Sequence, residues 1–477
     1  MNEINEINER EVALDLLIRI EQGKKHSHIL IRETLDRYAS TPAAQRSFIK
    51  RLTEGTLERK LELDEVIRLH LKDPDKKLKT AVRCLLRMSI YQIYYMDSVP
   101  DHAACNEAVK LLKKRGLEFQ SGFVNGMLRS IIRDRQGQPE KTTDRSEDMS
   151  IRYSMPELIV DLWKHQLGKE ECEKLLESLL EIRPVSIRLR SDLSDADRET
   201  LVTSMRRQGA KIENGRWFSS ALRLQGAAPA TLPGFAEGLW TIQDESSMMV
   251  VPSAGLRGTE TVFDLCAAPG GKAMHAAEML PAGKVYAFDI SGEKIMKIRE
   301  NAARMKLDNI RTAVKDAGKP VPEMDGRADA VLCDVPCSGL GVIGKKRDIK
   351  YNISQEKLAG LYYLQKRILK NAVRYVRPGG VLIYSTCTIN RAENEDMARY
   401  IEEELGLLPD PLAALLPEGL SGDLKRWKFS SVGSGEKKRT KGQLIFSEDG
   451  NMLQLLPHKH GTDGFFLARF KRPERKQ

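Results

Sequence analysis

Apolar residues recur at helical spacing in three stretches near the start of the chain: residues 12–20, 48–71 and 78–95. Breakers at Gly23, Pro42, Pro74, Pro100 and Gly116 cut this region into short helices, and strand alternation is absent. The pattern predicts an all-helical domain over residues 1–136. Residues 137–150 are rich in charge and poor in large apolar side chains, and read as a linker.

Residues 151–240 change character. The stretch 156–181 supports one or two helices, 185–189 is strand-like, 195–208 is helical, and 211–218 and 222–224 are strand-like again. A small α+β domain is expected. A third domain is expected over 241–477. There, apolar runs at 261–265, 284–290, 310–315, 328–334 and 380–385 alternate with helices beginning at 272, at 292 and near 358. Strands separated by helices predict an α/β Rossmann-like fold whose mostly parallel sheet is covered on both faces. Residues 452–456 and 465–470 read as an antiparallel pair at its edge.

Hydrophobic residues make up 41% of 477, enough for several cores, and no apolar run reaches the roughly 18 residues of a membrane span. The first ten residues are polar and acidic, unlike a signal peptide, so a cytoplasmic protein with no membrane partner is expected. The net charge of +10 matters mainly through its placement. Residues 421–477 carry 13 basic and 6 acidic side chains. Lys437, Lys438, Arg439 and Lys441 form one cluster; Arg469, Lys471, Arg472, Arg475 and Lys476 form another. Such stripes suit a polyanion, because neutralised phosphates release counterions. A solvated tail that aids solubility is the competing reading.

Seven cysteines, an odd number without paired Cys-x-x-Cys units, argue for reduced thiols and no metal site. Cys84, Cys105 and Cys172 fall in expected helices and read as small buried hydrophobes, as do Cys266 and Cys333. Cys337 and Cys387 each follow an expected strand of the third domain.

Parallel sheets bind ligands beyond the carboxyl ends of their strands. Three expected strands end in Asp264, Asp289 and Asp334, and Asp316 follows a fourth. The first leads into Cys266, Ala267, Ala268, Pro269, Gly270, Gly271 and Lys272, then a helix. Small residues let backbone approach a ligand, and the helix start offers N–H groups to a carboxylate. Asp289 stands where a ribose needs an acceptor. The pattern fits an adenosine-containing cofactor, although the dinucleotide fingerprint Gly-x-Gly-x-x-Gly is missing. Strand-end carboxylates that only cap helices are the bland alternative.

Two thiols beside a methyl donor suit one chemistry in particular. Carbon 5 of cytosine is too weak a nucleophile to take a methyl group directly, and a thiolate added to carbon 6 activates it. The thiolate needs an electropositive setting, which Lys272 could supply. A protonated Asp334 could hydrogen-bond cytosine N3. The base must leave any stack to enter the pocket.

At these residues the chain resembles the RNA cytosine-5 methyltransferases. The matching elements are Asp264 to Lys272, Asp289, Asp316, the Asp334-Pro336-Cys337-Ser338 block, Ser385-Thr386-Cys387 followed by Glu393-Asn394-Glu395, and Asp463-Gly464-Phe465-Phe466. The resemblance spans about residues 235–472. It implies a class I methyltransferase domain using S-adenosylmethionine, with the backbone of Cys266 to Lys272 on the methionine part, Asp289 on the ribose and Asp316 at the adenine. It implies further that Asp334 lies between cofactor and base. It also implies that Cys387 is the nucleophile and Cys337 the thiol that helps release product. The residues alone left those two roles open. DNA cytosine methyltransferases use the Pro-Cys thiol, so possession of both cysteines implies RNA rather than DNA.

The first 135 residues are similar to the all-helical NusB fold, an RNA-binding module, through Val99-Pro100-Asp101-His102-Ala103-Ala104 and Phe123-Val124-Asn125-Gly126. The combination resembles bacterial 16S ribosomal RNA methyltransferases of the Fmu/Sun type, and the middle domain resembles their small RNA-binding extension. The expected partner is 16S rRNA before full subunit assembly. Transfer RNA, another ribosomal site, or a non-catalytic role in ribosome assembly are the alternatives. The sequence departs from these relatives at Gly344-Lys345-Lys346-Arg347-Asp348, where they carry a basic pair and His-Pro, and at Ala273, where a hydroxyl is common.

Overall fold

A computed structural model describes residues 7–23, 25–137, 148–417, 420, 445–446 and 450–474. Its contacts divide the chain into two compact units: Met1–Leu180 with Ile343–Asn352, and Glu181–Val342 with Ile353–Gln477.

The first unit is helical: α1 (Glu9–Glu21), α2 (Ser27–Arg37), α3 (Ala43–Glu58), α4 (Lys60–Leu69), α5 (Thr80–Tyr95), α6 (Asp101–Lys114), α7 (Ser121–Gly137), α8 (Met149–Arg152), α9 (Glu157–Leu167) and α10 (Lys169–Ser178). Asn8 caps α1 by accepting the Glu11 N–H at 3.0 Å. Helix α5 is buried on nearly every side from Cys84 to Ile93, which makes it the core helix of the bundle. Its buried Arg87 is satisfied by Asp64 at 2.6 Å and Glu21 at 3.1 Å. Cys84, Cys105 and Cys172 are buried here. Helices α9 and α10, expected alongside the strands that follow, share this unit and bury Trp163 and Cys172.

Residues 343–352 also belong to the helical unit. Arg347 pairs with Glu54 and Glu58 at 2.8 Å each, and the buried Asp348 accepts the Ser27 N–H at 2.8 Å. Lys350 is fully buried and donates to the Glu58 carbonyl at 2.7 Å; burial pushes its ammonium down to about 7. Two of the residues that depart from the relatives, Arg347 and Asp348, are thus engaged in intramolecular bonds.

The second unit holds two sheets. In the smaller, β1 (Val185–Leu189), β2 (Lys211–Asn214), β3 (Ala221–Gln225) and β4 (Trp240–Ile242) are antiparallel in the order β2-β3-β1-β4. Helix α11 (Asp195–Arg207) helps cover them through Leu201 and Met205, against Trp240. Two expectations shift here. The strand expected to run to 218 stops at Asn214, because the N–H groups of Arg216 and Trp217 turn to the Glu245 carboxylate at 3.0 and 2.7 Å. Strand β4 is too short to leave a periodic signal and exists only by pairing with β1.

The larger sheet contains β5 (Thr261–Asp264), β6 (Lys284–Asp289), β7 (Ile310–Val314), β8 (Ala328–Asp334), β9 (Val376–Thr386), β10 (Leu408–Pro409), β11 (Ile445–Phe446), β12 (Met452–Leu455) and β13 (Phe465–Lys471). Its order is β7-β6-β5-β8-β9-β13-β12-β11, with β10 beside β13. The pairs from β7 to β9 are parallel and those beyond β9 antiparallel, as the alternation and the late strand pair predict. Two apolar clusters cover its faces. Of the late basic cluster, Arg469 is taken up by Asp410 at 2.7 Å and Arg472 by the Arg374 carbonyl at 3.0 Å, so these two are structural. Lys437, Lys438, Arg439, Lys441, Arg475 and Lys476 lie outside the described residues. No helix among the described residues is long and apolar enough to cross a membrane.

Candidate active site

Strand order reverses between β5 and β8, and that switch point is where an open α/β sheet forms its ligand crevice. From β5 the chain runs through Cys266 to Gly270 into α12 (Gly271–Glu278). Gly270 has φ +106°, a conformation that favours glycine and redirects the chain into the helix. Among the described residues no side chain caps α12, so its first N–H groups remain for a ligand carboxylate. A Cβ on Gly271 would project into open space, which leaves a cradle for that ligand.

Asp289, at the end of β6, is nearly buried. Its carboxylate accepts the N–H of Ala268 at 3.0 Å and of Ile290 at 2.7 Å, and pairs with Lys294 at 2.9 Å. It therefore fastens the Cys266–Gly271 loop to the next strand. Ile290 beside it is 61% exposed, an apolar face next to an acceptor. Asp316 follows β7 and accepts the Gly318 N–H at 2.9 Å. It borders a shallow cleft walled by Leu265, Phe288 and Tyr375. Acceptors alternating with apolar walls fit an adenosine-type ligand.

Asp334 ends β8. One carboxylate oxygen accepts Lys272 Nζ at 2.7 Å and the other Ser385 Oγ at 2.8 Å. Burial works against the Lys272 ammonium, but the charge and hydrogen bond of Asp334 outweigh it and raise its pKa; Asp264 and Cys387 add to this. Asp264 lies buried behind this pair, and desolvation, reinforced by Asp334 and opposed by Lys272, lifts its carboxyl to about 7.

Cys337 and Cys387 stand beside this ion pair, Sγ to Sγ 3.4 Å apart, each half-buried. Cys337 is held as a thiol: its hydrogen bond with Cys387, burial, and the charges of Cys387, Glu393 and Asp334 all push its pKa far up. Cys266 and Cys333 are also held as thiols, chiefly by burial, and pack among apolar side chains.

The structure thus gathers Lys272, Asp334, Cys337 and Cys387 at one point and sets the 266–271 loop, Asp289 and Asp316 along the adjoining crevice. Sequence reasoning gave no role to four residues that frame the thiols. Ser385 holds Asp334. Gly341 donates to the Cys387 carbonyl at 3.0 Å, and Gly464 donates to the Gly341 carbonyl at 2.9 Å. Glu393 accepts the Ser338 N–H at 2.8 Å. Gly464 and Glu393 sit in motifs the sequence displays, but their partners are distant along the chain.

The sequence matches two families: the 16S rRNA methyltransferase RsmB/F family over residues 254–471 and the NusB family over residues 7–133. It is 35% identical to the probable ribosomal RNA small subunit methyltransferase B of Bacillus subtilis (strain 168), covering 97% of this chain and 98% of that one. The protein of the same name from Synechocystis is 32% identical, covering 98% and 100%. Among solved structures, PH0851 superposes with a TM-score of 0.75 at 24% identity over 98% of this chain and 99% of that one. NSun6 from Pyrococcus horikoshii with SFG gives 0.54 at 21% identity over 66% and 98%. At these identities the structures speak for the fold alone. The sequence matches extend along nearly the whole length, with a helical unit ahead of a crevice built for S-adenosylmethionine, and the chain belongs to the RsmB/F family of S-adenosylmethionine-dependent rRNA methyltransferases.

Proposed function

We propose that the protein methylates carbon 5 of a cytosine in 16S rRNA, with Cys387 as covalent nucleophile. One observation carries the reading: two thiols in hydrogen-bonding distance at neighbouring strand ends, flanked by the Lys272–Asp334 pair. Bound S-adenosylmethionine supplies an electrophilic methyl group. The loop from Cys266 to Gly271 (Cys266, Ala267, Ala268, Pro269, Gly270, Gly271) holds its methionine end, Asp289 its ribose and Asp316 its adenine side.

The surroundings distinguish the two thiols. Glu393 and Asp334 disfavour charge on Cys337 and the Lys272 ammonium interacts favourably with charge on Cys387, so in this reading Cys337 is the S–H donor of the pair. A thiolate on Cys387 adds to carbon 6, and cytosine N3 takes a proton. Asp334 already accepts two hydrogen bonds, so that proton comes from Lys272 by way of Asp334 rather than from a resident carboxylic acid. Once carbon 5 is methylated, its proton leaves to solvent, the N3 proton returns to Lys272 by way of Asp334, and the electrons of the C5–H bond expel the Cys387 sulfur from carbon 6 as thiolate. Cys337 donates its hydrogen bond to the departing Cys387 thiolate, which aids release of product.

The helical unit, matching the NusB family, supplies additional grip on RNA. Incubating the enzyme with labelled cofactor and separate 16S rRNA and tRNA pools, then mapping the modified base, tests the reading. Label on carbon 5 of a 16S cytosine is expected; label confined to tRNA, or on another atom, would overturn it.

A further inference from the structure

Glu393 is fully buried, and its carboxylate spans both cysteine loops. Oε2 accepts the Ser338 N–H at 2.8 Å and Gln365 Nε2 at 3.0 Å; Oε1 accepts Asn390 Nδ2 at 2.8 Å. Gln365 Nε2 also donates to the Pro336 carbonyl at 3.0 Å. Pro336 and Ser338 flank Cys337, and Asn390 closes the turn that follows Cys387. The Glu393 backbone is pinned as well, its carbonyl accepting the Tyr384 hydroxyl at 2.5 Å. The two loops meet directly through Ser338 Oγ and Thr388 Oγ1 at 2.6 Å.

Burying a carboxylate is costly, and a neutral amide oxygen could still accept two of these three bonds. The charge itself therefore needs a reason. The ionisable groups facing Cys337 are Tyr384 from β9, Cys387 just beyond its end, Asp334 from β8, and Glu393 from the turn beyond β9. Lys272, from α12, interacts with Cys387 and Asp334.

We propose that Glu393 is a positioning residue for the thiol pair: it braces both cysteine loops at hydrogen-bonding distance, and its negative charge makes Cys337 the donor and Cys387 the acceptor. This rests on the covalent reading above. Gln365 is the second member of the brace, since a single amide group ties Glu393 to the residue before Cys337.

The test is site-resolved alkylation by iodoacetamide against pH, read by mass spectrometry on the full-length enzyme with both thiols intact. In the unmodified enzyme, Cys387 should alkylate at least about tenfold faster than Cys337 at pH 7.5; equal rates, or a faster Cys337, overturn the proposal without any variant. In Glu393→Gln the Cys337 profile should move about one pH unit lower, because a neighbouring negative charge is gone. Its turnover should fall at least about tenfold, while S-adenosylhomocysteine affinity stays within about twofold. An unmoved Cys337 profile in a folded Glu393→Gln enzyme, even one with a lowered Tm, assigns Glu393 to stability alone and overturns the proposal. Failure of the covalent reading has a separate signature: a Cys387→Ala enzyme that still methylates.

Discussion

The sulfur atoms of Cys337 and Cys387 lie 3.4 Å apart although fifty residues separate them in the chain. The contact follows from parallel pairing of β8 with β9, in register from Ala330 with Val381 to Asp334 with Ser385, which carries the two strand ends to one point. If Cys387 bonds to carbon 6 and Cys337 assists its departure, removing each must give a different phenotype. Cys387→Ala should lose about a thousandfold or more of turnover and form no covalent RNA complex. Cys337→Ala should accumulate that complex on denaturing gels. Accumulation in Cys387→Ala would reverse the roles.

Lys272 is hydrogen-bonded to Asp334, and its ammonium also interacts with charge on Cys387, which favours a thiolate there. Lys272→Met keeps the stem and removes the charge. Turnover should drop by about 10²–10⁴-fold, the range for loss of a positioned acid–base group. The acid limb of its pH–rate profile should move to higher pH, because a thiolate without a cation forms less readily. A profile that keeps its position while only the cofactor KM rises would place Lys272 in binding alone.

Asp264 has a carboxyl raised from 3.8 to about 7, mainly by desolvation. Its folded value lies above its unfolded one, so the native state holds an extra proton between those values. That stabilising contribution is complete below about pH 4 and is lost as pH rises toward and through 7, amounting to about 2–4 kcal/mol. Asp264→Asn should flatten this slope. Glu395, raised to about 7 by burial, titrates in the same window, so the comparison of variant with parent isolates Asp264. Tm measured without cofactor at pH 5 and pH 8 decides: the variant should gain on the parent at pH 8, and a larger loss at pH 8 than at pH 5 counts against the assignment.

Gly341 approaches two backbones at once. A Cβ there would stand 1.9 Å from the Gly464 carbonyl oxygen and 2.8 Å from that of Cys387. Neither obstacle is a flexible side chain, so Gly341→Ala must shift the Cys387 loop or the start of β13. Turnover should fall at least about tenfold with cofactor affinity nearly unchanged, since the crevice around Asp289 is on other strands. Calorimetry with S-adenosylhomocysteine beside a turnover assay checks this; normal turnover would show that the loop tolerates the shift.

Sequence pattern alone determined the helices of residues 1–136, the alternation of strands and helices in the α/β unit, and the late antiparallel pair. Those features are local: 3.6-residue and two-residue periodicities, and glycines that punctuate them. It also placed Asp264, Asp289, Asp334, Cys337 and Cys387 at or just beyond strand ends, because a strand's end is readable from the chain. Three-residue β4 escaped, having too few positions to show a period. The early end of β2 escaped too, because Glu245, more than twenty residues later, supplies the competing acceptor. That Glu393 and Asp334 act on Cys337, and Lys272 on Cys387, was decided only by the tertiary structure. Protonation depends on charges a few ångströms away, and Glu393, Asp334 and Lys272 reach the thiols from three separate segments. The same holds for Arg469 and Arg472, which read as a basic stripe in sequence and are turned inward by Asp410 and by the carbonyl of Arg374.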